Sequence, residues 1–192
     1  MGFLSVLSMA HKWIEERAGS GDIVVDATAG GGVDTLALAK LVGPKGVVYA
    51  FDIQQEALDR THDRLAAAGA HRQVQLHLMD HAGMTEAISP AHRGQISAIM
   101  FNLGFLPGGD PAVITQPAST IGALQAAMTL LRPGGIITCV LYPGHPGGDT
   151  EAAAVEAWAA ALPQSEGQAV LYRQPQRSAA PYLIAVERRK SS

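Results

Sequence analysis

The chain of 192 residues has little of what several protein classes require. It contains one cysteine, Cys139, which excludes a disulfide framework and a cysteine-based zinc site. Charged residues make up 16% and hydrophobic residues 47%, which excludes a disordered tail and a coiled coil. The formal net charge of −3 excludes a protein that holds nucleic acid by bulk positive charge, although it allows a local basic patch. We therefore expect no DNA partner and no metal.

The sequence also lacks an apolar run close to the roughly 20 residues that a membrane span needs. His11, Lys12 and Glu15 follow closely behind the first apolar residues, which does not fit a secretory signal peptide. No repeat and no linker divides the sequence. We expect a single domain over residues 1–192 that does not bind a membrane and that works in the cytoplasm.

What the sequence does contain is an alternation of strand and helix patterns. Short apolar segments typical of buried strands lie at 22–26, 47–51, 74–78, 96–101 and 136–141. Segments with helical spacing lie at 3–14, 33–41, 54–68, 119–131 and 151–162. Two last strand segments, 170–172 and 182–186, have no helix between them and predict an antiparallel hairpin. The predicted fold is α/β and Rossmann-like: a seven-stranded, mostly parallel sheet with helices on both faces.

A glycine loop, Asp26-Ala27-Thr28-Ala29-Gly30-Gly31-Gly32, directly follows the first strand. Glycines let a ligand approach the backbone, and the next helix directs N–H groups toward it. A dinucleotide fingerprint would need glycine where Thr35 lies, and the sequence lacks the Gly-Lys-Ser/Thr of a P-loop. The loop instead fits the acid-x-G-x-G-x-G pattern of methyltransferases that use S-adenosylmethionine (SAM), with Thr28 in the first glycine position. A tight turn without a ligand is the alternative.

Acidic residues end the next two strands. Asp52 ends the second strand, where a carboxylate can accept hydrogen bonds from both hydroxyls of a ribose. Asp80 ends the third strand within Met79-Asp80-His81, and it is predicted to accept from the amine of an adenine. For both residues, the capping of a helix is the alternative role.

Asn102-Leu103-Gly104-Phe105 follows the fourth strand. Methyltransferases that act on amino groups carry Asn/Asp-Pro-Pro-aromatic at this place. There the Asn oxygen and a backbone carbonyl accept hydrogen bonds from the amine and direct its lone pair at the methyl donor. The aromatic ring can stack on a base. Because Leu-Gly replaces Pro-Pro here, a structural turn is the alternative.

These motifs together resemble the rRNA methylase family of class I methyltransferases, whose members act on tRNA as 5-aminomethyl-2-thiouridine methyltransferases. The segments that carry the resemblance are 21–30, 34–35, 51–54, 101–110, 142–148 and 181–187. The resemblance covers nearly the whole chain, and it implies that SAM is the cofactor and the anticodon region of tRNA the partner. The implied reaction converts the 5-aminomethyl group of the wobble uridine to 5-methylaminomethyl.

The motifs and the resemblance predict three groups of site residues. The cofactor-binding group is Asp26, Thr28, Gly30, Gly32, Asp34, Thr35, Asp52, Gln54, Asp80, His81, Asn102 and Leu103. The substrate-binding group is Phe105, Gly108 and Gly109, and the catalytic group is Asn102, Asp110 and His145. Either Asp110 or His145 could receive the amine proton, and the sequence does not decide between them.

Five of the 14 basic residues fall in the last 20 positions, and they are Arg173, Arg177, Arg188, Arg189 and Lys190. They are either a solvated tail or a site for RNA phosphates. Two other functions stay open: a SAM-dependent methyltransferase for rRNA or a small-molecule amine, and a non-catalytic nucleotide-binding module. The sequence does not fix the oligomeric state, and a homodimer is one of the states it allows.

Overall fold

A seven-stranded mixed sheet forms the centre of the fold. In the computed structural model, which describes residues 2–104 and 115–190, the strand order is β3-β2-β1-β4-β5-β7-β6. The strands are β1 Ile23–Asp26, β2 Val47–Asp52, β3 Val74–Leu78, β4 Ile96–Asn102, β5 Leu131–Leu141, β6 Gly167–Tyr172 and β7 Tyr182–Arg188. The first five pair in parallel, while β7 pairs antiparallel with both β5 and β6. The predicted parallel sheet and the predicted hairpin are confirmed.

Six α-helices surround the sheet in the described part of the chain. They are α1 Val6–Glu15, α2 Val33–Val42, α3 Gln55–Ala67, α4 Met84–Ala87, α5 Pro117–Leu130 and α6 Gly148–Ala161. The short α4 and two 3-10 turns, His81–Gly83 and Pro90–His92, have no counterpart in the sequence prediction. A helix of one turn is too short to show apolar periodicity. Within the described residues, no helix has the length and apolarity to cross a membrane.

Neighbouring residues of each central strand belong to two different cores. Val24 packs in a cluster with Ile14 and Leu38, while Val25 packs in the opposite cluster with Met84 and Leu124. This alternation follows from the two-residue period of a strand. One face of the sheet is covered by α1, α2 and α3, and the other by α4, α5 and α6. The predicted burial of both faces is confirmed.

Strand β5 begins earlier than its apolar segment predicted. The strand includes Arg132-Pro133-Gly134-Gly135, which the sequence indicates as a helix stop and turn. Its pairing with β4 shifts register there, from Ile96 opposite Leu131 to Ala98 opposite Ile136. The surplus residues form an irregularity, and Gly134 takes the left-handed φ of +79°. The apolar pattern marks only the part of the strand after this bulge.

A buried carboxylate joins α6 to the start of α5. Glu151 is 3% exposed, and its Oε1 accepts a hydrogen bond from Thr120 Oγ1 at 2.7 Å. Its Oε2 accepts one from Thr115 Oγ1, also at 2.7 Å. Thr115 lines the cavity described below, so this carboxylate anchors one wall of the site.

We expect Glu151→Ala to destabilise the fold because the buried hydroxyl of Thr120 and the half-buried hydroxyl of Thr115 lose their acceptor. The free energy of unfolding should fall by about 2–4 kcal/mol in urea denaturation. Asp149→Ala removes an exposed acid from the same helix turn, and it should cost less than about 1 kcal/mol. Equal losses in the two variants would show that Glu151 acts only through the helix dipole.

Candidate active site

A cavity of about 640 Å³ opens at the carboxyl ends of β1, β2, β3 and β4. Its volume lies within the roughly 300–1,000 Å³ of small-molecule sites. It lies where β1 neighbours both β2 and β4, the switch point at which open α/β sheets bind ligands. The predicted site residues that line it are Thr28, Gly30, Asp34, Asp52, Gln54, Asp80, His81, Asn102, Leu103 and His145.

Asp26 lies behind the cavity wall instead of lining it. Its Oδ1 accepts from the backbone N–H of Thr28 at 3.1 Å, and its Oδ2 accepts from Thr35 Oγ1 at 2.6 Å. Desolvation and the charge of Asp34 raise the pKa of Asp26 to about 7, against the hydrogen bonds from Thr35 and Thr28. Asp26 and Thr35 therefore fix the glycine loop from within the protein.

Gly32, another residue predicted to bind the cofactor, also lies outside the cavity lining. It adopts a φ of +81°, and a Cβ there would lie 2.7 Å from the Cα of Thr61 on α3. Thr61 in turn donates from Oγ1 to the carbonyl of Gly30 at 3.0 Å. Position 32 therefore needs glycine, because its backbone is left-handed and because α3 packs directly on the loop.

Asp52 connects the glycine loop to the start of α3. Its Oδ2 accepts from the N–H of Gly30 and its Oδ1 from the N–H of Gln54, both at 2.9 Å. A carboxylate oxygen has room for a second donor. These two bonds hold the carboxylate at the cavity edge, and each of its oxygens keeps an acceptor position for a further donor.

Asp80 lies at the cavity and also has the capping role that the sequence offered as the alternative. It lines the cavity, and its Oδ1 caps the following 3-10 turn by accepting from the N–H of Ala82 at 2.7 Å. Ser119 also donates to this oxygen. Although burial acts to raise it, the hydrogen bonds from Ser119 and Ala82 lower the pKa of Asp80 below its usual value. Asp80 is therefore an ionised acceptor at neutral pH.

His81 is buried beside the cavity with a defined proton position. Its Nδ1 lies 3.2 Å from the carbonyl oxygen of Ala27, which can only accept, so Nδ1 carries the hydrogen. Burial lowers the pKa of His81, and the ring is neutral at physiological pH. Its Nε2 has no hydrogen-bond partner among the described residues. The ring packs edge-on against Phe101.

Asn102 is held by several partners at the end of β4, and its side chain also makes a hydrogen bond with Tyr142. Its backbone N–H donates to Thr28 Oγ1 at 2.7 Å. Its side-chain Nδ2 donates to Asp34 Oδ2 at 3.2 Å. The other oxygen of Asp34 lies 2.8 Å from Nε2 of His11, a residue of α1.

The sequence prediction missed His11. Position 11 lies four residues after Leu7 and three before Ile14, on the apolar stripe of the first helix. A histidine on that stripe was the available signal that α1 contributes to the site.

His145 lies on the loop after β5. Its Nδ1 lies 3.0 Å from the carbonyl of Pro146, and its ring lies against Gly104 and Gly148. The other residues predicted for substrate and catalysis, Phe105, Gly108, Gly109 and Asp110, lie outside the described residues. Across positions 2–104 and 115–190, no group of three His, Cys, Asp or Glu side chains could hold a metal ion.

Comparison with known proteins identifies the family of this chain. Residues 48–187 match the family model described as "Putative rRNA methylase". A protein of Arabidopsis thaliana named tRNA (mnm(5)s(2)U34)-methyltransferase, chloroplastic, is 38% identical over 191 aligned residues. That alignment covers 95% of this chain and 69% of the relative.

Solved structures agree with this match. A protein from Clostridium thermocellum described as a "putative rRNA-methylase" superposes with a TM-score of 0.93 at 36% identity, over 98% of this chain and all of that one. A protein from Streptococcus mutans in complex with SAH superposes with a TM-score of 0.86 at 31% identity, over 97% and 99% of the two chains. As the resemblance of its motifs predicted, the chain belongs to the rRNA methylase family of class I, SAM-dependent methyltransferases.

Proposed function

We propose that this methyltransferase acts on tRNA and converts the 5-aminomethyl group of the wobble (2-thio)uridine to 5-methylaminomethyl. The observation that carries the substrate is the 38% identity, over 95% of this chain, to a relative named for that modification at U34. The chemistry of the cavity supports it independently, because acceptors for a cofactor and for an amine line the same space.

The residues of the cavity fit SAM. Asp52 offers the acceptor-only carboxylate that a ribose diol requires, and Asp80 offers an ionised acceptor for an adenine amine. The S. mutans relative holds SAH, the product that SAM leaves after methyl transfer. Bound SAM supplies a methyl group on a sulfonium, and the electron pair of the broken C–S bond stays on sulfur.

We expect Asp52→Ala to weaken SAM binding at least tenfold, because a hydrogen bond to a charged group contributes about 1.5–3 kcal/mol. Isothermal titration calorimetry gives the dissociation constant directly. Asp63→Ala removes a largely exposed acid from α3 and serves as the matched control. An unchanged SAM affinity for Asp52→Ala would remove this carboxylate from the ribose role.

The protein has to align the amine with the methyl group. A primary amine attacks only in its neutral form, and the methyl group arrives already activated. The nitrogen forms the new N–C bond, and the resulting ammonium loses one proton to solvent water or to one of the two candidate acceptors, Asp110 and His145. In this proposal Asn102 accepts a hydrogen bond from the amine through Oδ1, and the bond from its Nδ2 to Asp34 supports that role. The amine's lone pair is then left to face the methyl group.

Asn102→Ala should lower single-turnover methylation about 10²-fold and leave SAM affinity within a few-fold, because it misplaces only the acceptor amine. The substrate is tRNA that carries 5-aminomethyl-2-thiouridine. The control variant is Gln95→Ala, which changes a polar residue outside the cavity lining. It should leave methylation and SAM affinity unchanged. A collapse of SAM affinity with normal turnover would assign the turn to the cofactor site instead.

The basic residues near the C-terminus form two groups, which bears on RNA binding. Arg173 and Arg177 lie on the loop between β6 and β7, whose Ala179 and Pro181 line the cavity. Arg188 lies at the other end of the hairpin, opposite Gly167, where it donates to the carbonyls of Thr129 and Leu131. Only the first group is beside the cavity, where a tRNA phosphate would pass.

Replacing Arg173 and Arg177 together by alanine should weaken tRNA binding and lower the slope of log Kd against log salt by about one to two. SAM affinity should not change. The matched control is the double alanine variant of Arg189 and Lys190, two exposed residues at the far end of the hairpin. Equal salt slopes in the two double variants would contradict this placement of the RNA.

The family description also supports rRNA as a second candidate substrate. Transfer of a labelled methyl group from SAM separates the two candidates. We expect transfer to tRNA that carries the aminomethyl group, and none to ribosomal RNA or to tRNA with an unmodified C5. Undiminished transfer to the unmodified tRNA would reject the aminomethyl substrate.

A further inference from the structure

A chain of hydrogen bonds leads from α1 to the carboxamide of Asn102. His11 Nε2 lies 2.8 Å from Asp34 Oδ1, and Asp34 Oδ2 lies 3.2 Å from Asn102 Nδ2. The three residues come from α1, α2 and β4, so only the tertiary fold brings them together. Asp34 and Asn102 line the cavity, whereas His11 does not.

The chemistry of a carboxylate determines how this chain is oriented. Both oxygens of Asp34 are acceptors, so the Nε2 of His11 must carry a hydrogen and the amide of Asn102 must present its NH₂ group. A carboxamide has two orientations that differ by a half turn. The opposite orientation would place Asn102 Oδ1 against a carboxylate oxygen. Asp34 therefore selects the orientation that directs Oδ1 away from itself.

His11 keeps Asp34 available for this task. The hydrogen bond to Asp34 raises the pKa of His11 above its usual value, against the lowering effect of burial. The charges of Asp34, Glu15 and Asp26 act in the same raising direction, from α2, α1 and β1. Asp34 is only 7% exposed, so the hydrogen bond from His11 offsets part of the cost of burying its polar oxygens.

We propose that His11 and Asp34 are positioning residues that fix the carboxamide of Asn102, so that its Oδ1 accepts a hydrogen bond from the target amine. The proposal rests on the proposed function, because it assigns the acceptor of that amine. His11 acts through Asp34 and not by contact with the substrate. The pair supplies orientation to a reaction that depends on alignment more than on a strong base.

The test measures kcat, KM for tRNA and SAM affinity in three variants. His11→Ala should lower kcat about tenfold or more and leave both binding constants within about twofold. His11→Gln restores a neutral donor near the Nε2 position, and it should recover kcat to within about threefold of wild type. Lys12→Ala, an exposed neighbour on the same helix, should be fully active. Melting temperatures show that each variant is folded.

Full activity of His11→Ala, or a loss that lies wholly in SAM affinity, would overturn the positioning role. The side-chain amide signals of Asn102 in a ¹⁵N NMR spectrum give a second readout. They should move in His11→Ala and stay in place in Lys12→Ala, and unmoved signals in His11→Ala would also overturn the proposal. A wild-type enzyme that does not methylate the aminomethyl tRNA would reject the proposed function instead.

Discussion

The hydrogen bond from the backbone N–H of Asn102 to the hydroxyl of Thr28 connects the two halves of the site. It spans 2.7 Å between the loop after β1 and the end of β4, two residues beyond the last paired residues of those two strands. It also explains why threonine occupies a position where related loops have glycine: the side chain supplies an acceptor. The glycine loop and the amide that would hold the amine are thereby kept in register across the switch point.

Several carboxylates lie around this hydrogen bond, and different donors hold each of them. Asp26 is fully buried with a pKa raised to about 7, and it is held by Thr35 and Thr28. Asp34 accepts a hydrogen bond from His11, and Asp52 accepts two backbone N–H groups. Each carboxylate is thus fixed by donors before any ligand binds, which is what a site needs when its contribution is preorganised orientation.

The fold followed from the sequence because its strands are short apolar runs with clear stops. The third strand matches its prediction at both ends, Val74 and Leu78. The predicted start of β5 was wrong because the strand pairs with β4 at Leu131 and again from Ile136, on either side of an irregularity that contains Pro133, where the local pattern indicates a turn. Local rules describe one segment at a time, and this bulge exists only in the presence of β4.

The site was predictable where it depends on strand ends and less so where it depends on packing. Asp52 and Asp80 line the cavity as their positions at strand ends indicated. Gly32 and Thr35 lie behind it because α3 and the buried Asp26 occupy that side of the loop. The sequence did not predict His11 as a site residue because its partner, Asp34, lies 23 residues away on another helix. The basic residues near the C-terminus look like one cluster in the sequence, and the hairpin separates them.

We propose that this chain adds a methyl group to an aminomethyl nitrogen at the tRNA wobble position. Mass spectrometry of wobble nucleosides, from cells that lack the protein and from the same cells complemented with it, tests that claim most directly. The account predicts that the 5-aminomethyl nucleoside accumulates without the protein, and that the 5-methylaminomethyl nucleoside returns on complementation with the wild-type protein and not with Asn102→Ala. Identical wobble nucleosides with and without the protein would contradict it.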